Sequence, residues 1–449
     1  MSDQIKLINH ASILIEDETN LNILSDPWFH GTAFDDGWSL LYNNEKNSIV
    51  SILNTIKYIY ISHEHPDHFS INFFKNFHEQ IIKNKIKIIF QKTKDKRVET
   101  FLREKLNLEL IILENFETLE IEKKKITMIK CGSIDSSILI ETENTCHLNI
   151  NDCDFLDVQL SQIKKLINYD KKVIIYMQFS YAAYRSDDTW LQYAADYKLK
   201  QLQKIYSFFN ANLIIPFASF VYFSDIENFK LNKYMNSTNF THQFLENRNI
   251  NHCILNPNET KQNIQEIINN KDLRDLITNN SISFWDIKKK NIKPSNMNKK
   301  KIIISEDVKK KFLERIKNKN SLLLLYLIRI ITFKFLFGDT KVYLPDTKEY
   351  YLINFFSIKQ KRVIKKKDIN LEMNSSRFNF LLKELYGLDS LSVNGCFIDF
   401  NNGFEKLIRS IGFVTLNQSD EGVKFKSIFS KLIFLKVLDI ISRLVSKKS

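Results

Sequence analysis

The pattern of hydrophobic and polar positions predicts a layered α/β protein. Two stretches, Asn72 to Ile82 and Lys94 to Lys105, have the length and periodicity of helices. Helices are also expected over Val158 to Tyr169 and Tyr193 to Asn210. Short apolar runs between polar turns predict strands at Ile5 to Ile15, Leu21 to Leu24, Tyr58 to Ile61, Ile86 to Phe90, Leu110 to Leu113, Ile126 to Ile129, Ser137 to Ile140, Lys172 to Met177 and Ala211 to Ala218.

A loss of this pattern marks the best domain boundary. The segment Lys288 to Lys301 holds seven lysines, several asparagines and Pro294, and it lacks both apolar content and periodicity. We therefore predict a first domain over 1–285, a Lys/Asn-rich linker over 286–302 and a smaller α+β domain over 303–449. The segment from Phe378 to Leu388, followed by residues 391–395, weakly resembles a sterol-carrier-like lipid module.

Two apolar segments of the second domain bear on membrane contact. Leu322 to Phe337 contains Arg329 and Lys334, whereas a spanning helix needs about twenty mostly apolar residues, so a buried or amphipathic helix is expected. Lys424 to Lys448 has a polar face opposite an apolar one, which fits either a packed helix or a basic helix lying on an anionic membrane.

Composition and charge add limits on location and partners. Five cysteines, an odd number without a C-x-x-C pair, and the lack of an apolar signal segment predict free thiols in a reducing cytoplasm, at most peripheral to the inner face of the membrane. The formal net charge is +13, but it accompanies a general excess of Lys, Ile and Asn, so no specific nucleic-acid partner is expected. Dense basic runs fit solvated loops or docking patches for anionic surfaces or substrates.

The segment Ser62-His63-Glu64-His65-Pro66-Asp67-His68 directly follows the apolar run Ile56 to Ile61. Imidazoles and carboxylates this close to a strand end are typical of a site for zinc, manganese or iron. His63 and His65 can face one ion, while Asp67 and His68 can face a second. The alternative is a polar surface loop with histidines that bind nothing.

Three further residues stand where they could complete such a site. The stretch Leu7 to Ile15 near the start carries His10, and Asp26 precedes Pro27 at a predicted strand end, so both could support the metal-binding histidines without touching the ion. Asp152 ends another apolar strand and could bridge two ions. Simple turn-forming roles remain the alternatives for Asp26 and Asp152.

Taken together, these motifs resemble the metallo-β-lactamase superfamily over roughly residues 1 to 255. Within it, Ile134-Asp135-Ser136-Ser137, Asn149 to Cys153 and Pro216 to Phe220 look most like the lactamase-like part of CMP-N-acetylneuraminate hydroxylases. The resemblance implies an αββα sandwich with metals at one edge. It also implies that Asp152 bridges an ion held by His63 and His65 and another held by Asp67 and His68.

Two departures from the superfamily pattern change the expected ligand set. The superfamily usually supplies a histidine before the bridging aspartate and another near the domain end, where this chain offers Asp135 and Asp225. His147 is out of register for either role and is expected to pack or bond locally. The resulting oxygen-rich set suits iron or manganese better than zinc.

The function expected from this reading is a metal-dependent hydrolase with two divalent ions (zinc, iron or manganese). Asp67 or Asp152 would orient a metal-activated water for attack on an anionic substrate, with a nucleotide sugar implied by the resemblance. Tyr184, Arg185 and Tyr222 are candidate substrate-binding residues.

Two other functions remain open. An iron oxygenase would need a separate electron-transfer partner, because the chain lacks the Cys and His pattern of a Rieske cluster. A degenerate scaffold that binds an anionic ligand or membrane is the non-enzymatic alternative.

Overall fold

The computed structural model describes residues 3–17, 22–121, 124–181, 183–184, 188–295, 299–363 and 365–425. It divides into two compact units. The first takes the described residues of Met1–Ala183 and Asp187–Asn296, and the second those of Tyr184–Ser186 and Met297–Ser449.

The first unit is built around two large sheets. The seven-stranded sheet has, in spatial order, the strands Gln262–Asn263, Gln4–Asn9, Ser12–Glu16, Asn22–Ser25, Tyr58–Ile61, Lys87–Gln91 and Leu110–Leu113. The six-stranded sheet has the strands Leu213–Phe217, Lys172–Gln178, Thr145–Asn151, Asp135–Glu141, Lys124–Cys131 and Thr118–Ile121. A small third sheet joins Val221–Phe223, Trp38–Leu40 and Thr32–Ala33.

Helices cover the outer faces of the two large sheets. Buried residues of both sheets, such as Ile13, Tyr60 and Met128, share one core, while Ile59, Ile88 and the helices beside them form a second core. The predicted αββα sandwich is therefore confirmed. The helices of this unit are Lys46–Leu53, Ile71–Asn76, His78–Lys83, Arg97–Thr100, the π-helix Phe101–Lys105, Asp157–Lys164, Asp188–Phe208, the 3-10 helix Phe229–Tyr234, Thr238–Glu246, Ile264–Asn269 and Lys271–Lys290.

The second unit has α+β architecture. Its five-stranded sheet runs in the order Ser357–Lys361, Glu349–Asn354, Thr340–Leu344, Leu371–Glu372 and Ile398–Asp399. Its helices are Glu306–Lys319, Leu322–Ile331, the 3-10 helix Lys366–Asp368, Ser375–Lys383, Gly387–Asn394, Gly403–Ile411 and Val414–Gln418. None of the helices in the described part of the chain is both long and apolar enough to cross a membrane.

Several predicted elements differ from those in the structure. The single strand expected over Ile5 to Ile15 is a hairpin, because the chain turns at His10 and Ala11. The single helix expected over Asn72 to Ile82 is two short helices that meet at Phe77. The helix Lys271–Lys290 extends into the predicted linker, and the tail after Phe425 lies outside the described residues.

The five cysteines, all in the described part of the chain, are buried and form no disulfide. This agrees with the expected reduced thiols. His147 also behaves as the sequence predicts: its ring bonds locally to Thr145, Asp3 and Tyr176.

Candidate metal centre

The metal-binding motif lies where neighbouring strands end. Tyr58–Ile61 runs parallel to Asn22–Ser25, so the segment from Ser62 to His68 leaves the sheet beside Asp26. Asp152 directly follows Thr145–Asn151 in the facing sheet, and Asp135 opens the strand paired with it. His10 reaches the same place from the turn of the first hairpin.

One group of potential ligands contains His63, His65 and Asp135, whose ligand atoms all lie within 4.8 Å of one another. His63 Nε2 is 2.8 Å from His65 Nδ1 and 4.0 Å from Asp135 Oδ1. His63 Nδ1 lies 2.9 Å from Ser62 Oγ, which leaves Nε2 directed at the group. These residues could hold one divalent ion through nitrogen and oxygen donors.

A second group contains His10, Asp67 and His68. Asp67 Oδ2 lies 3.4 Å from His10 Nε2 and 3.3 Å from His68 Nε2. All three residues are almost fully buried. The sequence assigned His10 a supporting role, whereas the structure places its ring among the potential ligands.

Asp152 lies between the two groups. Its Oδ2 is 3.6 Å from His63 Nε2 and 3.7 Å from His68 Nε2. A carboxylate at this position could contact an ion in each group, as the predicted bridging role requires.

Asp26 is the hub of the hydrogen bonds that hold the cluster. Its carboxylate accepts from the Ser62 backbone N–H at 2.7 Å, the Ser62 hydroxyl at 2.8 Å and the Asn151 amide at 2.6 Å. Asp26 Oδ2 also lies 3.0 Å from His68 Nδ1. Because a carboxylate can only accept, it keeps the proton on Nδ1 and leaves Nε2 of His68 able to bind a metal.

This arrangement constrains the backbone of Asp26. Its φ of 35° lies in the left-handed region, which non-glycine residues rarely adopt. The Asp26 backbone N–H donates to the Tyr60 carbonyl at 2.9 Å, so the neighbouring strand holds the conformation in place.

Charges within the cluster compensate one another. Burial alone would raise the pKa of Asp67, but His68 and His10 outweigh it and hold this pKa well below its usual range. Burial opposes protonation of His68 as well, yet the carboxylates of Asp67, Asp152 and Asp26 raise its pKa well above the usual value. Burial lowers the pKa of both His10 and His63, which favours the neutral form that binds metals.

The cluster also presents buried polar atoms that form no hydrogen bond within the described residues. They are both ring nitrogens of His10, His68 Nε2, Asp67 Oδ1 and Asp152 Oδ1. Buried polar groups are nearly always satisfied, so these atoms are available to a further partner. Divalent ions bound by imidazole nitrogens and carboxylate oxygens fit them.

The structure places other candidate residues elsewhere. Asp225 belongs to none of the groups that the motif histidines form, and its carboxylate accepts from the Glu227 backbone N–H. Tyr184 is buried in the second unit, where its ring packs against Phe397 and Phe404. Arg185 lies outside the described residues.

Tyr222, the third candidate for substrate binding, is half-buried in the small sheet. It lines a cavity of about 20 Å³ together with Phe179, Asn236 and Trp285. A cavity of this volume accommodates about one water molecule, so it is not by itself a substrate pocket.

Sequence reasoning missed Ser62 and Asn151 as partners of Asp26. Asn151 donates to Asp26, contacts His68 Nδ1 at 3.2 Å and has a left-handed φ of 61°. The one signal in the sequence was its position at the end of a strand, directly before Asp152.

Several solved structures are similar to part of this chain. The chain resembles the solved structures of CmlA, a diiron β-hydroxylase from Streptomyces venezuelae (10% identity, 59% of this chain, 54% of that chain, TM-score 0.40), and of a possible metal-dependent hydrolase from Veillonella parvula (14% identity, 59% of this chain, 100% of that chain, TM-score 0.45). The chain thus spans about half the length of CmlA. No curated protein matches it.

The family comparison covers the part of the chain that carries most of the metal-binding motif. Residues 4–139 match the model of the beta-lactamase superfamily domain. This region contains His10, Asp26, the segment from His63 to His68, and Asp135. The resemblance to the metallo-β-lactamase superfamily is therefore confirmed over residues 4–139.

Proposed function

We propose that the first unit is a metal-dependent hydrolase with two divalent ions. The observation that carries this proposal is the position of Asp152, whose Oδ2 is almost equidistant from a histidine of each ligand group. One ion would be held by His63, His65 and Asp135, and the other by His10, Asp67 and His68, with Asp152 shared. Ions held there would supply a strong nucleophile at neutral pH and polarise a carbonyl or phosphoryl group.

The side chains of the cluster have separate tasks in this proposal. Asp67 and Asp152 have pKa values held below their usual range despite burial, because neighbouring histidines favour their charged forms. As carboxylates at neutral pH, they can accept a hydrogen bond from a water molecule and orient it. Asp26 holds the ring of His68 through Nδ1, and Asn151 donates to the Asp26 carboxylate.

For the substrate we propose an anionic small molecule with a phosphorylated or sugar-nucleotide-like group. Support comes from the resemblance to the lactamase-like part of CMP-N-acetylneuraminate hydroxylases and from the net charge of +13. Charge favours encounter with anions without selecting among them.

A specific observation also favours an iron oxygenase as the second candidate. Asp135 stands beside His63 and His65, where the superfamily pattern has a histidine, so carboxylates make up three of the seven potential ligands. Oxygen-rich ligand sets shift preference from zinc towards iron and manganese. This activity would require a separate electron-donor protein.

Metal content and turnover of one probe substrate would test the proposal. The protein is purified without added metal, its bound metals are measured, and hydrolysis of bis(p-nitrophenyl) phosphate is followed with zinc or manganese. We expect about two ions per chain and a decrease of about 100-fold or more in kcat/KM for His63→Ala.

The matched control is His78→Ala. His78 bonds to the Leu106 carbonyl and belongs to none of the ligand groups, so this variant should keep both metal and turnover. Two equivalents of iron with oxygen-sensitive absorbance and no phosphodiester hydrolysis would instead support the oxygenase. Folded protein that binds no divalent ion would contradict both enzymes.

A further inference from the structure

Among the described residues, the helix Leu322–Ile331 of the second unit has an exposed apolar face. Leu324, Leu325 and Arg329 face the interior, while Leu323, Tyr326 and Ile330 are exposed. The exposed surface continues past the helix end, where the side chains of Ile331 and Phe333 are 73% and 95% exposed. Soluble proteins rarely leave such a contiguous apolar patch open unless it binds something.

A basic cleft adjoins this patch within the same unit. It encloses about 400 Å³ and is lined by Lys334, Phe335, Gly338, Asp339, Lys341, Lys367, Asp368, Asn370, Asn401, Lys406 and Arg409. Five of these residues are basic and two are acidic, so the cleft carries a net positive charge at neutral pH. A cleft of this charge and size suits an anionic headgroup.

The patch and the cleft form one continuous surface. Phe333 is followed directly by Lys334 and Phe335, which both line the cleft. The Arg409 guanidinium lies over the Phe335 ring at 4.6 Å from its centroid. An apolar edge next to fixed cations is the pattern of proteins that lie on anionic membranes.

We propose that this surface, made of the patch from Leu323 to Phe335 and the adjoining basic cleft, docks the protein on an anionic phospholipid membrane. The exposed apolar side chains would enter the interface between headgroups and acyl chains, and the cleft would receive a lipid phosphate. A second copy of the chain fits less well, because two basic clefts and two net charges of +13 would repel each other.

Vesicle cosedimentation with the full chain tests this docking surface. Vesicles of phosphatidylcholine alone are compared with vesicles that contain about one third phosphatidylserine. We expect at least about tenfold tighter binding to the anionic vesicles, with a marked decrease at high salt. Ile331→Ser and Phe333→Ser should each weaken binding by about tenfold, because each removes a large apolar side chain from the interface.

A matched control is Ile303→Ser, which removes an 81% exposed apolar residue of the same unit outside the patch. It should bind like the native protein. Equal binding to both vesicle types, or unchanged binding of Phe333→Ser, would overturn the proposal. If Phe333→Ser binds vesicles like the native protein and deletion of residues 426–449 abolishes binding, the tail is the membrane contact and the proposal is likewise overturned. If the native protein self-associates in the absence of vesicles and Phe333→Ser does not, the patch binds a second copy of the chain instead of a membrane.

Discussion

Replacing Asp26 by asparagine should weaken metal binding although Asp26 belongs to neither ligand group. The side chains are almost identical in shape, so the change tests charge and hydrogen bonding rather than packing. In the native protein the Asp26 carboxylate faces four groups: the Ser62 backbone N–H, the Ser62 hydroxyl, the Asn151 amide and His68 Nδ1. An amide that keeps one oxygen towards the Ser62 N–H turns its NH2 towards the other three.

Each of these three partners responds differently. The Ser62 hydroxyl can rotate and accept, whereas the Asn151 NH2 at 2.6 Å from Oδ2 can only donate. His68 can adapt only by moving its proton from Nδ1 to Nε2. That tautomer blocks the nitrogen that faces Asp67 and Asp152.

The expected magnitudes follow from these contacts. Loss of a supporting carboxylate lowers metal affinity by about 10- to 100-fold, and a buried donor left facing a donor destabilises the fold by about 1–3 kcal/mol. Titration of manganese against a chromophoric chelator measures the affinity. Urea unfolding of the metal-free protein measures the stability separately.

Asp3→Asn is the matched control for this experiment. Asp3 is also a buried carboxylate, bonded to Thr142 at 2.6 Å, to Thr145 and to His147 Nε2 at 3.1 Å, but it belongs to none of the ligand groups. It should lose similar stability and keep native metal affinity. The reasoning about the His68 tautomer is refuted if Asp26→Asn binds manganese within twofold of the native protein, or if both variants lose affinity equally.

Three further measurements test other parts of the structure. Burial lowers the pKa of His252 to about 4, with Ile250, His242, Glu246 and Arg274 adding smaller effects. Because the unfolded state takes up this proton near pH 6.5, the free energy of unfolding measured in urea should fall by about 2 kcal/mol from pH 7 to pH 5. The variant His252→Gln should lack this part of the decrease. Gly395→Ala should destabilise the protein by about 1–3 kcal/mol in thermal unfolding, because the φ of Gly395 is +62° and the added Cβ would lie 2.7 Å from the Tyr184 ring. An unchanged Tm would contradict this contact. Manganese at about 100 times its Kd should stabilise the native protein by about 2.7 kcal/mol, and a chelator should reverse the effect; equal stabilisation of His63→Ala would contradict the assigned ligands.

The part of the site that could be predicted from the sequence is the part set by local chain direction. His63, His65, Asp67 and His68 lie within six residues at the end of a buried strand, so their proximity needs no knowledge of tertiary structure. Asp26 and Asp152 were found because each follows a strand, and strand ends meet at the edges of sheets. The layered α/β architecture was likewise predicted from the alternation of apolar runs and helices, whereas the αββα arrangement was implied by the resemblance to the superfamily.

Residues whose positions depend on tertiary contacts were placed less well. His10 became a potential ligand because the chain reverses at this residue, whereas the sequence pattern predicted a single strand from Ile5 to Ile15. Tyr184 was a candidate for the substrate pocket by its neighbours in sequence, but its ring packs into the core of the other unit. Asp225 follows a short strand, yet its carboxylate caps its own turn.

The position of His10 changes the meaning of the missing histidines. The ligand set predicted from the sequence had three histidines, His63, His65 and His68. It had Asp135 and Asp225 at the two positions where the superfamily usually has a histidine. With His10 included, each group offers two imidazoles and one carboxylate of its own, and Asp152 adds a shared oxygen to both. Two sites with the same kinds of donor should prefer the same metal, because ligand type largely decides which divalent ion is retained. A centre that had lost ligands would instead bind an ion tightly in one group and weakly in the other. The two matching donor sets therefore favour two ions of the same metal over a degenerate scaffold.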